Sequence, residues 1–111
     1  MTRPFAFISA SWGDKNLENV TAAANYCRQV YEAGYSPICP VLFLPSFLKG
    51  DTPAEVKDRK EMSDELLKRC RILVVCGDKV NDGVKSDIAL AKHSRIAYTT
   101  LSGIMAVSNL N

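Results

Sequence analysis

Two hydrophobic patterns alternate along the chain, and each predicts a different kind of element. Residues 4–10 and 72–76 are almost continuously apolar, as is typical of strands buried on both faces of a parallel sheet. Residues 36–43 are also apolar but contain two prolines. Because proline cannot donate to a central ladder, this stretch predicts an edge strand. Residues 95–101 predict a fourth strand.

After the first strand the apolar period changes to three and four residues, which indicates an amphipathic helix over residues 16–33. Gly34 suits the left-handed cap position that ends such a helix. The apolar residues that recur at this spacing are Leu17, Val20, Ala24, Cys27 and Tyr31.

The clearest helix start in the sequence lies at Thr52. Thr52 is suited to capping, Pro53 to the first helical position and Glu55 to the completion of a capping box. This second helix is predicted to reach about Arg69. Its predicted inward side chains are Val56, Met62, Leu66 and Leu67.

The remaining segments complete a βαβαβαβ order. Residues 84–92 predict a third, shorter helix, residues 44–51 a loop and residues 102–111 a tail. This order predicts an α/β protein, an open parallel sheet of about four strands with helices on both faces, Rossmann-like or flavodoxin-like. The whole chain, residues 1–111, is expected to form a single domain.

Ligands of such sheets bind beyond the carboxyl ends of the strands, at the switch point in strand order. Three segments are predicted to converge there, residues 9–16, 41–47 and 76–87. Candidate functional residues are therefore sought in these segments.

Composition narrows the classes of protein that fit. The 111 residues are 47% apolar and 23% charged, with a net charge of +2, which is too small to indicate polymeric nucleic acid or an anionic membrane as partner. No stretch approaches the roughly 20 apolar residues of a membrane helix, and the start lacks a signal-peptide pattern. We expect a soluble cytoplasmic protein.

The cysteines and the single histidine do not suggest a metal site. The four cysteines form no CxxC pair, whereas a zinc site needs ligands at short paired spacings. Each lies in an apolar run, which favours buried, reduced thiols. His93, near the end of a predicted helix, is interpreted as a cap for its carbonyls.

The loop after the first strand leads into a helix N-terminus and therefore suits an anion. Ser9, Ser11 and Lys15 would supply further donors. The alternative is an ordinary turn capped by Asp14 or Asn16. Neither a Walker loop nor a GxGxxG motif is present.

Aromatic and charged side chains add candidates. Trp12 could stack on a planar base or pin its loop to the core. Asp82 is expected to cap a helix or to interact with its dipole. Asp87, one turn further, suits a nucleophile or an electrostatic stabiliser of an oxocarbenium-like centre. Within the charged run 57–61, Arg59 is the member best able to reach an anion.

Several stretches, in this order and spacing, carry a family resemblance. They are residues 7–14, 19–20, 33–40, 66–78 and 82–91. Together they resemble the nucleoside 2-deoxyribosyltransferase-like superfamily, closest to its small uncharacterised members, often found in phages and mobile elements. The similarity extends over nearly the whole chain.

The resemblance implies a Rossmann-like or flavodoxin-like fold, no metal or cofactor, and a homo-oligomer, dimer or higher, that completes the site. In the characterised enzymes a Glu attacks C1′ of a deoxyribosyl group and a second acid protonates the departing base. Asp87 falls on the nucleophile position and Gly83 on the glycine of the same signature. Residues 9–13 fall on the sugar- and phosphate-side loop, with Trp12 at its aromatic position.

Two positions depart from that pattern. Asp87 replaces the Glu, so its carboxylate stops roughly 1.5 Å short, and a displacement of about 1 Å can cost about a hundredfold in rate. At the position of the second acid the register gives Ser63, with Asp64 adjacent.

The leading interpretation is a deoxyribosyltransferase or a deoxynucleoside 5′-monophosphate N-hydrolase. Asp87 would be the nucleophile and Asp78 or Asp64 the acid. The predicted substrate contacts are Ser9, Ser11, Trp12, Gly13, Lys15, Gly83 and Arg59. The alternatives are a non-catalytic module that binds a nucleotide-derived ligand, and a structural protein that builds an oligomer.

Overall fold

The chain folds around a four-stranded sheet in a computed structural model that describes residues 2–110. All strand pairs are parallel and the strand order is β2-β1-β3-β4, which confirms the predicted open α/β sheet. The strands are β1 (Phe5–Ala10), β2 (Ser36–Ile38), β3 (Ile72–Cys76) and β4 (Ala97–Thr100). The helices are α1 (Asn16–Glu32), α2 (Leu44–Phe47), α3 (Pro53–Lys68), α4 (Asp82–His93) and α5 (Leu101–Leu110).

Side chains of β1 alternate between two separate cores, one on each face of the sheet. Ala6, Ile8 and Ala10 pack into a core with α1 and α5. Phe7 packs into the other core, which is formed with α3 and α4. Because side chains alternate along a strand, Ser9 lies on the Phe7 face, where its side chain is buried.

The edge position of the proline-containing strand is confirmed, but its predicted length is wrong. β2 ends at Ile38, and a 3-10 turn follows at Pro40–Leu42. Pro40 has no N–H with which to extend the ladder. The following residues were expected to form a loop, and instead they include the one-turn helix α2.

The predicted tail is also wrong, because residues 101–110 form α5. Thr100 Oγ1 accepts a hydrogen bond from Gly103 N at 3.0 Å, and Leu101, Ile104 and Met105 pack into the α1 core. Apolar residues at three- and four-residue steps thus make a helix here. Asn111 lies outside the described residues.

Several predicted inward side chains point to solvent instead. Leu17 of α1 is 79% exposed, and Val56 and Met62 of α3 are 55% and 40% exposed. Helix α1 instead buries Ala23 and Val30. An apolar stripe alone does not fix which face of a helix meets the sheet, because small residues such as Ala23 allow the closest approach.

The N-terminus of α3 forms half of the predicted capping box. Thr52 Oγ1 accepts a hydrogen bond from Glu55 N at 3.2 Å. The Glu55 carboxylate does not return to Thr52. It accepts from Lys49 N at 2.8 Å instead and so ties the preceding loop to the helix.

The described residues contain no helix long and apolar enough to cross a membrane. All four cysteines are free; Cys39, Cys70 and Cys76 are buried and Cys27 is partly so. Burial raises the pKa of the Cys70 thiol to about 11 and that of Cys76 to about 12, so both remain protonated at neutral pH.

Candidate functional site

A cavity of about 240 Å³ opens at the carboxyl end of β1. This is the switch point of the sheet, because β2 lies on one side of β1 and the next strand, β3, lies on the other side. All three predicted segments contribute: Trp12 and Gly13, then Val41, Leu44 and Pro45, then Asp87. Helix α3 closes a further side with Arg59, Lys60 and Ser63.

Asp87 reaches this cavity because α4 begins beside the end of β3. Asn81 caps the helix by accepting a hydrogen bond from Val84 N at 3.0 Å. Asp82 lies in the first turn, where a negative charge interacts favourably with the helix dipole, so it takes the dipole role and Asn81 the cap. Val84 and Ala91 are buried, and this packing fixes the face of α4 on which Asp87 lies.

The carboxylate of Asp87 is held by a serine from the sheet. Ser9 Oγ donates a hydrogen bond of 2.6 Å to Asp87 Oδ2, across 78 residues of sequence. Ser9 is only 1% exposed and is the buried polar residue of the described core. Burying a polar side chain is costly unless it is hydrogen-bonded, and this pair satisfies both groups.

Burial raises the pKa of Asp87 above its ordinary value, because a low-dielectric environment disfavours the charged form. The Ser9 hydrogen bond and the positive charge of Lys60 lower it, and the negative charge of Asp64 raises it. The net direction is upward. A raised pKa in a cleft is a feature of functional carboxylates as well as of structural ones.

A second charged pair lies beside Asp87 on α3. Lys60 Nζ donates to both carboxylate oxygens of Asp64, at 2.7 Å and 2.8 Å. Their charges act on Asp87, so Asp64, one of the predicted acids, lies near the predicted nucleophile. The pair spans one helical turn, as is usual for residues four apart.

The loop after β1 is closed by an asparagine of α1. Gly13 N donates to Asn19 Oδ1 at 3.0 Å, and Asn19 Nδ2 donates to Gly13 O at 2.7 Å. Trp12 lies 6.2 Å from the ring of Tyr26 in a tilted arrangement and packs against the α1 core. Trp12 therefore anchors its loop to the core, as one of the two interpretations expected, and it also lines the cavity.

Other predicted site residues lie elsewhere. Ser11 and Asp78 do not line the Asp87 cavity but a neighbouring one of about 320 Å³, which shares Trp12, Gly13 and Asn19 with it. Lys15 lies 3.9 Å from Glu18 in an exposed ion pair. Gly83 lies in the first turn of α4, where a Cβ would meet only Asn81 Oδ1. The structure thus groups Ser9, Trp12, Gly13, Arg59, Asp64 and Asp87, and separates the other four.

Sequence reasoning missed Asn19, Lys60 and Ser63 as parts of the site. Lys60 was included in a solvated charged run, although its spacing of four from Asp64 was a signal for their ion pair. For Asn19 a signal existed as well, because an asparagine near a helix start often bonds a neighbouring backbone. Nothing in the sequence singled out Ser63 except its register with the family.

No group of three or more metal-ligating side chains is found within residues 2–110. The site therefore offers one hydrogen-bonded carboxylate, one ion pair, one free guanidinium and an aromatic wall. Such a set can hold a planar, polar ligand and attack or stabilise an electrophilic carbon.

Comparison with known proteins places the chain in a family without assigning a function. A family model described as "Domain of unknown function (DUF7768)" matches residues 4–101, which includes every residue of the site. No curated protein matches the chain.

Proposed function

The chain belongs to the DUF7768 family, whose function is unknown. From the residues of the cavity we propose that the protein cleaves the N-glycosidic bond of a nucleoside or nucleotide and passes the sugar to water or to a second base. The observation that carries this proposal is the 2.6 Å hydrogen bond between Ser9 and Asp87 at the switch-point cavity. The resemblance to the nucleoside 2-deoxyribosyltransferase-like superfamily supports the same residue as nucleophile.

In the proposed reaction Asp87 attacks C1′ of the sugar. Ser9 donates its hydrogen bond to Oδ2 of Asp87, which leaves Oδ1 as the attacking atom. The new C1′–O bond forms as the C1′–N bond breaks, and the departing base takes a proton. Water or a second base then displaces Asp87 from C1′, giving hydrolysis or transfer.

The proton for the departing base is assigned to the Lys60–Asp64 pair. Lys60 carries the protons of this pair and lines the Asp87 cavity, and its charge acts on Asp87, whereas Asp78 does not line this cavity. Trp12 would stack on the base, since an indole offers a flat apolar face to a planar ring.

A binding module without chemistry is the second candidate, and one observation favours it. Both oxygens of Asp64 are already bonded to Lys60, so the second acid that the resemblance requires is not free. A nucleotide-derived ligand would then rest in the cavity without losing its base.

Liquid chromatography of free base tests the two candidates. The protein is incubated with deoxynucleosides and with their 5′-monophosphates, beside the variant Asp87→Ala and the control variant Asp78→Ala. The proposal expects base release that Asp87→Ala abolishes and Asp78→Ala retains. Release that survives Asp87→Ala would refute Asp87 as nucleophile, and ligand binding without release would favour the binding module.

The proposal includes a homo-oligomer that covers the site. Phe43, Phe47 and Met62 are exposed beside the segments that line the cavity, and exposed apolar side chains of this size favour association. Sedimentation velocity tests this part, with a dimer or larger species expected and a monomer contradicting it.

A further inference from the structure

A polar cavity of about 390 Å³ adjoins the site beside the loop after β1. It shares lining residues with the Asp87 cavity, among them Gly13, Asn19 and Arg59. A ligand of nucleotide size can therefore extend from one cavity into the other. The chemistry of this second cavity determines what the far end of that ligand must carry.

Two cationic side chains line this second cavity, Lys49 and Arg59. Within the part of the chain whose side chains are described, no carboxylate lies within ion-pair distance of either one. This differs from the other cations of α3, because Lys57, Lys60 and Lys68 are each paired with an acid of the same helix.

The loop before α3 is shaped around Arg59. Gly50 has a φ of +77°, and a Cβ built on it would lie 2.7 Å from Arg59 Nη1. A side chain at this position would therefore displace the guanidinium, and the positive φ itself favours glycine. Glu55 fixes the same loop by accepting a hydrogen bond of 2.8 Å from Lys49 N, and both Lys49 and Arg59 line the cavity.

The cavity also receives the start of α1. Asn16 lines it, and the cap residue Lys15 makes no side-chain cap hydrogen bond. The first N–H groups of the helix add donors to the two cations. Asp14 is the one carboxylate in the lining and is exposed, so the balance of charge around the cavity is positive.

We infer that Arg59 and Lys49 bind the 5′-phosphate of the ligand, so that the substrate class is a nucleoside 5′-monophosphate and not a free nucleoside. The inference rests on the proposed function for the identity of the rest of the ligand. A guanidinium can hold two oxygens of one phosphate with charge-assisted hydrogen bonds.

Calorimetric titration with 2-deoxyribose 5-phosphate and with 2-deoxyribose tests this inference without any turnover. The variant is Arg59→Met, and the control is Lys57→Met, which removes the same charge from the same helix away from the cavity. We expect the wild type to prefer the phosphorylated sugar, with about 10–100-fold weaker binding in Arg59→Met. Lys57→Met should bind like the wild type.

A second variant, Gly50→Ala, displaces the guanidinium while keeping its charge. It should weaken binding of the phosphorylated sugar severalfold while circular dichroism shows the fold intact. Equal affinity for the two sugars, or an Arg59→Met protein that binds as well as wild type, would overturn the inference.

The base-release assay separates this inference from the proposed function. Phosphate-dependent binding without base release refutes the enzyme and retains the anion site. Equal base release from nucleosides and 5′-monophosphates, in wild type and in Arg59→Met alike, refutes the anion site and retains the enzyme.

Discussion

The two faces of the sheet are built differently, although the same strand supplies both. Towards α1 and α5, β1 presents only Ala6, Ile8 and Ala10, and the core there is closed by apolar side chains. Towards α3 and α4, Phe7 is followed by Ser9, whose hydroxyl bonds Asp87. The first face stabilises the fold, and the second exchanges some stability for a polar site at its carboxyl end.

Removing the carboxylate is expected to have the largest effect. In Asp87→Asn the amide keeps an acceptor for Ser9 but is a poor nucleophile, so base release should fall at least about a thousandfold. Chromatography of free base measures the loss. A variant with near wild-type release would show that the polar face has no catalytic role.

The same variant should not destabilise the protein at neutral pH. The pKa of Asp87 is raised by burial, so the native state holds this proton at a pH where the unfolded state has released it. Ionised Asp87 therefore costs stability above its folded pKa, and the cost disappears as pH falls through that value. Urea unfolding of both proteins across pH should show that the free energy of unfolding of the wild type rises relative to that of Asp87→Asn as pH falls. A difference in this free energy that does not depend on pH would contradict the prediction.

A substitution on the apolar face should lower stability and leave activity unchanged. Ile104→Ala removes a buried side chain of α5 from the α1 core and should lower the free energy of unfolding by about 2–5 kcal/mol. Urea unfolding measures the change. The folded fraction should keep its base release per molecule, and a proportionate loss of activity would break the contrast between the faces.

Ser9→Ala acts on the polar face with a smaller effect on stability, about 1–2 kcal/mol, because one charge-assisted hydrogen bond is lost. The Ser9 hydrogen bond lowers the pKa of Asp87, so its loss should move the acid limb of the pH–rate profile to higher pH. An unchanged limb would mean that Ser9 does not tune the carboxylate. Ser36→Ala, at a partly buried serine of β2 outside the cavity lining, is the control.

The smallest effect is expected at the start of α3. Thr52→Ala removes the cap hydrogen bond to Glu55 N and should lower the free energy of unfolding by about 1 kcal/mol. Thermal unfolding measures the shift. Base release should not change, and a marked loss would show that the α3 start and the cavity are coupled.

The sheet could be predicted because its signals are local. Continuous apolar runs predict β1 and β3, and Thr52 with Pro53 predicts the start of α3. The sequence predicts a tail over residues 102–111 and not α5, because the apolar spacing of α5 is short and becomes informative only where the helix packs against α1. The exposed faces of α1 and α3 were misassigned for the same reason.

The candidate site could be predicted only in part. Asp87 and Trp12 lie at the switch point, and the predicted topology is sufficient to place them there. The Ser9–Asp87 bond joins residues 78 apart. Among the described side chains, Lys60 is paired with Asp64, whereas Arg59 and Lys49 have no carboxylate within ion-pair distance. The spacing of four predicts the Lys60–Asp64 pair, but the Ser9–Asp87 bond and the unpaired Arg59 depend on side-chain geometry that no spacing rule contains.

Trapping of the sugar on the protein tests the central claim most directly. A nucleoside and its 5′-monophosphate with fluorine at the sugar 2′ carbon would slow both steps, because fluorine destabilises an oxocarbenium-like transition state. Intact-protein mass spectrometry followed by peptide mapping should show one fluorinated sugar on the carboxylate of Asp87, and none in Asp87→Asn. An adduct on another residue, or no adduct at all, would contradict the assignment of Asp87 as the nucleophile.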